Sequence, residues 1–73
     1  MIFNTFNLER FIEKQIGGFD DSVYVVNSNI NSITLSINSV FDWEKLTDDI
    51  EKEFKQTDFS FTVVGLDLII SWR

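Results

Sequence analysis

Two similar stretches begin the two halves of the chain: residues 6–11 read FNLERF, and residues 41–46 read FDWEKL. Each contains, in the same order, an aromatic residue, a polar residue that favours the start of a helix, an apolar residue, an acid, a base and an apolar residue. The same offset of about 35 residues aligns the alternating apolar residues of 33–37 with those of 68–72. The pattern indicates that one structural unit occurs twice.

The repeat predicts one domain made of two similar halves. We expect a single domain over residues 1–73, with the halves at residues 6–38 and 41–73. A chain of this length is near the lower limit at which apolar burial alone stabilises a fold, so every large apolar residue has to contribute. The match weakens where Ile12 aligns with Thr47, so two unrelated amphipathic patterns are the alternative explanation.

Each of the two opening stretches has the features of a helix start. Asn7 and Asp42 are of the type that favours the N-cap, and the phenylalanine before each one is placed to pack as a hydrophobic staple. Gly17 predicts the end of the first helix, and we expect the second to run to about Gln56. Apolar residues recur at helical spacing and predict one buried stripe on each helix. The stripe of the first helix is Leu8, Phe11, Ile12 and Ile16, and that of the second is Trp43, Leu46, Ile50 and Phe54.

After each helix the residue pattern changes to a period of two. Residues 22–27 and 32–40 alternate on either side of a turn rich in Asn and Ser, and residues 59–64 and 66–72 alternate around Gly65. Each pair of segments predicts a β-hairpin. The predicted fold is therefore α+β, in the order α-β-β-α-β-β, with a four-stranded, mainly antiparallel sheet and both helices on one face.

The alternation also assigns side chains to the two faces of the sheet. We expect the larger apolar set to point toward the helices: Tyr24, Val26, Ile33, Leu35, Ile37, Phe59, Phe61, Leu68, Ile70 and Trp72. The opposite face is then mostly small and polar: Val25, Ser32, Thr34, Ser36, Asn38, Ser60, Thr62, Ile69 and Ser71. Antiparallel sheets tolerate such a solvated face.

The composition excludes most catalytic arrangements. The chain has no Cys and no His, so no disulfide, thiolate metal site, Ser-His-Asp triad or Cys-His pair can form within it. Its three glycines do not fit a phosphate-binding loop. Asp20 and Asp21, or the acids of the second helix, are of the type that binds hard cations, but the calcium-loop pattern is missing. We therefore expect no catalytic residues, no metal and no cofactor.

The charge of the chain favours some partners over others. Twelve acids against six bases give a formal charge of −6, which disfavours direct binding to nucleic acid or to an anionic membrane and favours a basic protein partner. The chain has no long apolar run and no signal-like start, so we expect a cytoplasmic protein. Its many Asn, Ile, Phe and Ser residues suggest an AT-rich genome, that of a bacterium or its phage.

The second helix is the best candidate for a binding surface. Residues 42–58 contain seven acids and three lysines. Glu44, Asp48 and Glu51 follow the spacing i, i+4, i+7, which places three carboxylates along one side of the helix within roughly 10 Å. The alternative is an ordinary solvated face in which the neighbouring lysines pair with these acids. The candidate partner-binding residues are Glu44, Asp48, Asp49, Glu51 and Glu53.

A row of carboxylates resembles a row of phosphates. The sequence therefore predicts a non-enzymatic inhibitor, of the anti-defence, anti-CRISPR-like or immunity type, that blocks a basic nucleic-acid-handling protein such as a nuclease by DNA mimicry. Small size, acidity and the lack of catalytic residues are similar to the general properties of phage anti-defence proteins and bacterial immunity proteins. No motif of a specific family carries this likeness.

The uncharged segment of residues 22–41 supports a different function. Sheet edges are usually protected by charge, proline or a bulge, so an uncharged hairpin is either central in the sheet or paired with another chain. The alternative function is a homo-oligomeric structural or regulatory module, such as a homodimer, that associates through its sheet face or hairpin edge. The candidate self-association residues are Val25, Thr34, Ser36 and Ile69. A small-ligand sensor is a third class, but the many aromatic side chains leave little room for a pocket.

Overall fold

The computed structural model describes residues 3–73 and contains two helices and four strands. Along the chain these are α1 (Thr5–Ile16), β1 (Tyr24–Asn29), β2 (Ser32–Ser36), α2 (Trp43–Glu53), β3 (Phe59–Val64) and β4 (Asp67–Trp72). The strands form one sheet in the order β1-β2-β4-β3, and all neighbouring strands are antiparallel. The predicted α+β fold with the order α-β-β-α-β-β is confirmed.

The start of α1 differs from the prediction. Asn4, and not Asn7, is the N-cap, and its side-chain oxygen accepts a hydrogen bond of 2.7 Å from the backbone N–H of Asn7. The helix therefore begins at Thr5, and Phe6 lies within its first turn. Phe6 is 64% exposed, with the Arg10 guanidinium 5.7 Å from the centre of its ring, so it does not act as a staple.

The start of α2 agrees with the prediction, but its end does not. Asp42 is the N-cap, and its carboxylate accepts a hydrogen bond of 3.1 Å from the backbone N–H of Lys45. The helix ends at Glu53 and not near Gln56, because Phe54 leaves helical geometry and turns its ring into the core. The first helix ends at Gly17 as predicted, with the left-handed backbone (φ 83°) that glycine adopts without strain.

The core lies between the helices and one face of the sheet. Both helices and the two central strands supply its fully buried side chains, Leu8, Ile12, Ile33, Leu35, Ile50, Leu68 and Ile70. An aromatic cluster closes one end, with the Phe3 ring 5.2 Å from the rings of both Phe54 and Trp72 and in edge-on contact with each. Because both helices share this one core, they cover the same face of the sheet.

A β-bulge in β1 overturns part of the predicted face assignment. Val25 pairs with Leu35 and Asn27 with Thr34, so Val26 is an extra residue without an opposite partner. The bulge reverses the alternation in the first half of the strand. Val25 therefore packs against the core, and the two residues that were expected to be buried, Tyr24 and Val26, are 44% and 54% exposed.

The remaining strand residues lie on their predicted faces. Phe59, Phe61 and Trp72 contribute to the core with the central strands. The outer face carries Ser32, Thr34, Ser36, Ser60, Thr62, Ile69 and Ser71, as expected. Asn38 follows the end of β2, and its side chain accepts a hydrogen bond from the backbone N–H of Val40. Neither helix in residues 3–73 is long or apolar enough to cross a membrane.

Candidate functional site

The five acids predicted as a binding surface on α2 divide into two groups. The helix buries Leu46 and Ile50, and successive residues are about 100° apart around its axis. Relative to that buried stripe, one group lies on the side that faces α1, and the other lies on the opposite side. The group toward α1 is Asp49 and Glu53, and the group away from it is Glu44, Asp48 and Glu51.

Asp49 connects the two helices. Its carboxylate accepts hydrogen bonds of 3.1 Å from Lys45 Nζ, one turn earlier, and of 3.1 Å from Gln15 Nε2 on α1. The Lys45 hydrogen bond lowers the pKa of Asp49 below its usual value of 3.8; desolvation opposes this effect, and the Gln15 hydrogen bond adds to it. The charge of Asp49 is therefore compensated within the molecule, and this residue is a poor candidate for contact with a partner.

Glu53 faces a groove between the helices. The groove has a volume of about 540 Å³ and is lined by Glu53 together with residues of α1, including Arg10 and Lys14. The body of α2 lies between Glu53 and the acids on its opposite side. The structure therefore does not bring all five predicted acids together.

Glu44, Asp48 and Glu51 form the remaining group, which we call the acidic row. All three are exposed. Within residues 3–73 the structure gives a single ion pair, between Lys45 and Asp49, so no acid of the acidic row is in direct contact with a lysine. The pairing of acids with lysines that the alternative explanation expects is therefore seen at Asp49.

The helix holds the acidic row in a fixed geometry. Glu44 and Asp48 are about 6 Å apart along the helix axis, and Glu51 is about 4.5 Å further, so the row covers roughly 10 Å. One strand of DNA rises about 3.4 Å per phosphate, so three steps cover a similar length. At the start of the row, the Thr47 hydroxyl donates a 2.9 Å hydrogen bond to the backbone carbonyl of Glu44. Three carboxylates on a regular helix therefore cover about the length of four consecutive phosphates of one strand.

Asp20 has a local role, because its Oδ1 accepts hydrogen bonds from the backbone N–H groups of Ser22, at 2.7 Å, and Val23, at 3.1 Å. No group of three acids in residues 3–73 is arranged to hold an ion.

The candidate self-association residues are only partly brought together. Thr34, Ser36 and Ile69 lie on the outer face of the sheet, where Thr34 is directly opposite Ile69. Val25 packs against the core because of the bulge, so its assignment to this surface was wrong. The only charged residue among the outward strand positions is Asp67, which pairs with Ser36.

Sequence reasoning missed one further surface, the open edge of β3. The sequence interpretation considered the uncharged segment of residues 22–41 as a possible sheet edge. Of its two strands, β2 is central in the sheet and β1 lies at one edge. The other edge is β3, with the sequence FSFTVV. The absence of charge in β3 is visible in the sequence, but only the strand order shows that β3 lies at an edge of the sheet.

The fold and the acidic row define a small, acidic α+β protein with a helical row of carboxylates that form no ion pair in residues 3–73. Comparison with models of protein families, with curated proteins and with solved structures found no match.

Proposed function

We propose that this protein is a non-enzymatic inhibitor, of the anti-defence, anti-CRISPR-like or immunity type, that blocks a basic nucleic-acid-handling protein. The acidic row occupies the Lys/Arg-lined surface on which the partner binds phosphates, and substrate is excluded. The observation that carries this proposal is that Glu44, Asp48 and Glu51 are exposed on one side of a helix, without an ion pair in residues 3–73.

Electrostatics supports a basic partner. Carboxylates that are already paired with lysines would have to lose those pairs on binding, whereas the acidic row is available at once. The formal charge of −6 attracts a basic partner over a distance of about 8 Å at physiological salt, which raises the association rate. The partner therefore binds faster at low salt than at high salt.

Preorganisation supports a mimic of phosphates. The acids of the row stand on a helix whose first turn is capped by Asp42 and whose inner face packs in the core through Leu46 and Ile50. The backbone of the acidic row is therefore already ordered before binding. A flexible acidic tail would have to become ordered when it binds, and this ordering would cost more free energy.

A charge-reversal experiment with a matched control tests the proposal. The wild-type protein and the variant E44K/D48K/E51K are immobilised and compared in capture of partners from the native host. The control variant E13K/D21K/D67K makes the same change in net charge at exposed acids outside α2. We expect the control to retain a basic nucleic-acid enzyme that the first variant loses, and duplex DNA to compete with its capture. Equal loss or equal retention by the two variants would contradict the assignment of the acidic row.

A second candidate function, a homo-oligomeric structural or regulatory module, is supported by the outer face of the sheet. Its centre is the Thr34–Ile69 pair, neither α1 nor α2 covers it, and among its strand positions only Asp67 is charged. If this face mediates association, Ile69→Lys gives a monomer in light scattering while E44K/D48K/E51K keeps the oligomer. A wild-type monomer at all concentrations would remove this candidate.

A further inference from the structure

The backbone groups of β4 alternate between its two neighbouring strands. The N–H of Ile37, just after β2, donates to the carbonyl of Leu66 (2.7 Å), and the N–H of Trp72 donates to the carbonyl of Asn31 (3.1 Å). Even-numbered residues of β4 therefore direct their backbone groups toward β2. Alternate residues of a strand direct these groups to opposite sides, so the odd-numbered residues of β4 bond to β3.

The same alternation leaves half of the β3 backbone groups at the open edge of the sheet. The residues of β3 opposite the odd-numbered residues of β4 are Ser60, Thr62 and Val64, and these use their N–H and C=O groups within the sheet. The other three, Phe59, Phe61 and Val63, direct theirs away from it. Among residues 3–73 these six groups have no strand beside them, because β3 is the last strand of the sheet.

The β3 edge lacks the features that usually prevent pairing with another chain. The strand contains no charge and no proline, and it pairs with β4 over its full length without a bulge. Val63 is 36% exposed and points to the same face as the half-buried Phe61. The opposite edge is different, since β1 is interrupted by the bulge at Val26.

We infer that the β3 edge pairs with the β3 edge of a second copy of this chain, antiparallel, about a two-fold axis through Phe61. This inference does not rest on the inhibitor function. It joins two four-stranded sheets into one sheet of eight strands and leaves the acidic row of each copy on the helical face.

The self-complementarity of β3 argues for a second copy as the occupant. With the axis at Phe61, this residue lies opposite its own copy, and Phe59 lies opposite Val63. All six free backbone groups of each copy are then paired. The apolar side chains meet on the helical face, where the rings of Phe59 and Phe61 already stack at 5.8 Å. On the outer face Ser60 meets Thr62, so polar residues meet polar residues.

The size and charge of the molecule predict a weak and closed dimer. A six-residue strand is about 20 Å long, so the contact belongs to the small interfaces of weak complexes, below about 1,200 Å². Two copies with a formal charge of −6 repel each other, and salt screens this repulsion. The dimer therefore strengthens with salt, which is opposite to the behaviour of a basic partner. The bulge in β1 stops further growth of the sheet.

Sedimentation velocity over a range of protein and salt concentrations tests the inference. We expect the 8.5 kDa chain to form a dimer as concentration rises. The variant S60K/T62K places like charges opposite each other twice across the axis and weakens the dimer by about tenfold. The matched control Y24K/N27K introduces the same two charges on outward positions of the opposite edge strand, and its dimer is unchanged. Thermal unfolding confirms that each variant is folded.

A charge-swap experiment tests the register. Mixing S60K/T62K with S60E/T62E restores a one-to-one dimer, because each lysine then meets a glutamate, whereas mixing the corresponding variants of Tyr24 and Asn27 adds nothing. A wild-type monomer at all concentrations and salts would overturn the inference. So would a dimer that S60K/T62K leaves intact, or a charge swap that fails to restore it. None of these results affects capture of a basic partner by the acidic row.

Discussion

Thr34 of β2 and Ile69 of β4 lie directly opposite each other at the centre of the sheet. They also occupy the same position in the two similar halves of the sequence, about 35 residues apart. A local two-fold axis therefore passes between them and relates the β1–β2 hairpin to the β3–β4 hairpin. An internal repeat predicts this arrangement, because two identical hairpins that pair through equivalent strands meet at equivalent residues.

The buried core makes a prediction about stability. Ile33 and Ile70 face each other beside the axis, and both are fully buried. We expect Ile33→Val and Ile70→Val to lower the free energy of unfolding by similar amounts, about 1 kcal/mol each, because each removes one buried methyl group. Urea unfolding measures this. The control Ile30→Val, at a turn residue that is 92% exposed, stays within about 0.5 kcal/mol of wild type. A large effect at Ile30 would contradict this account of the core.

The interaction of Asp49 with Lys45 and Gln15 predicts a pH dependence of stability. Because folding lowers the pKa of Asp49 below its usual value of 3.8, the unfolded state binds a proton more readily than the folded state. The contribution of Asp49 is therefore complete well above that value and is lost as the pH falls through the lower, folded-state pKa. We expect Asp49→Asn to be less stable than wild type at neutral pH and equally stable in strong acid.

Urea unfolding at a series of pH values measures this difference. Asp48→Asn is the matched control, because it removes the same charge from the adjacent exposed position, which has no ion pair in residues 3–73. Asp48→Asn keeps Asp49 and both of its hydrogen bonds, so its stability should retain the fall in acid that Asp49→Asn lacks. A constant deficit of Asp49→Asn down to strong acid would show that the loss comes from something other than its ionisation.

Most of the fold could be predicted from sequence because hydrophobic period and turn residues are local signals. The helix–hairpin order, the cap at Asp42 and the end of α1 at Gly17 all follow from such signals. The bulge at Val26 could not be predicted, since Tyr24 and Val26 continue a regular alternation and only the pairing with β2 shows the extra residue. Asn4 was missed because two asparagines precede the same apolar stripe, and both suit an N-cap.

The candidate binding site on α2 could also be predicted only in part. The number and spacing of the acids on α2 could be read from the sequence, but their division into two groups depends on where α1 lies. Gln15 is distant in sequence from Asp49, and the hydrogen bond between them forms only when the helices pack side by side. The open edge of β3 was likewise hidden, because strand order is a property of the whole chain.

Because the acids of α2 lie on two sides of the helix, we expect two substitutions that each remove one negative charge to have different effects on partner binding. Asp48→Asn removes a carboxylate from the acidic row, and Glu53→Gln removes one from the groove facing α1. We expect Asp48→Asn to slow association with the captured partner by roughly threefold to tenfold at low salt, with a smaller effect at high salt. Glu53→Gln should change the rate less than twofold. Stopped-flow or surface binding kinetics at two salt concentrations measure both, and equal effects would show that only net charge matters.

The bulge in β1 predicts how the edges control assembly. In the present register Val25 is opposite Leu35 and Asn27 is opposite Thr34, so deletion of Val26 brings these two pairs into direct succession without reversing either face. We expect the deletion variant to fold and to have a regular, uncharged β1 edge. Both edges of the sheet can then pair, and species larger than a dimer should appear in sedimentation velocity at high protein concentration.

Combining the deletion of Val26 with S60K/T62K tests the two edges of the sheet separately. In the S60K/T62K background, the β3 edge is blocked and only the regularised β1 edge remains, so the largest species should return to a dimer. Adding Asn27→Lys to that background then places a charge on the second edge and should give a monomer. If the deletion variant forms nothing larger than a dimer, the bulge does not limit assembly, and the closed dimer must be explained by another feature of β1.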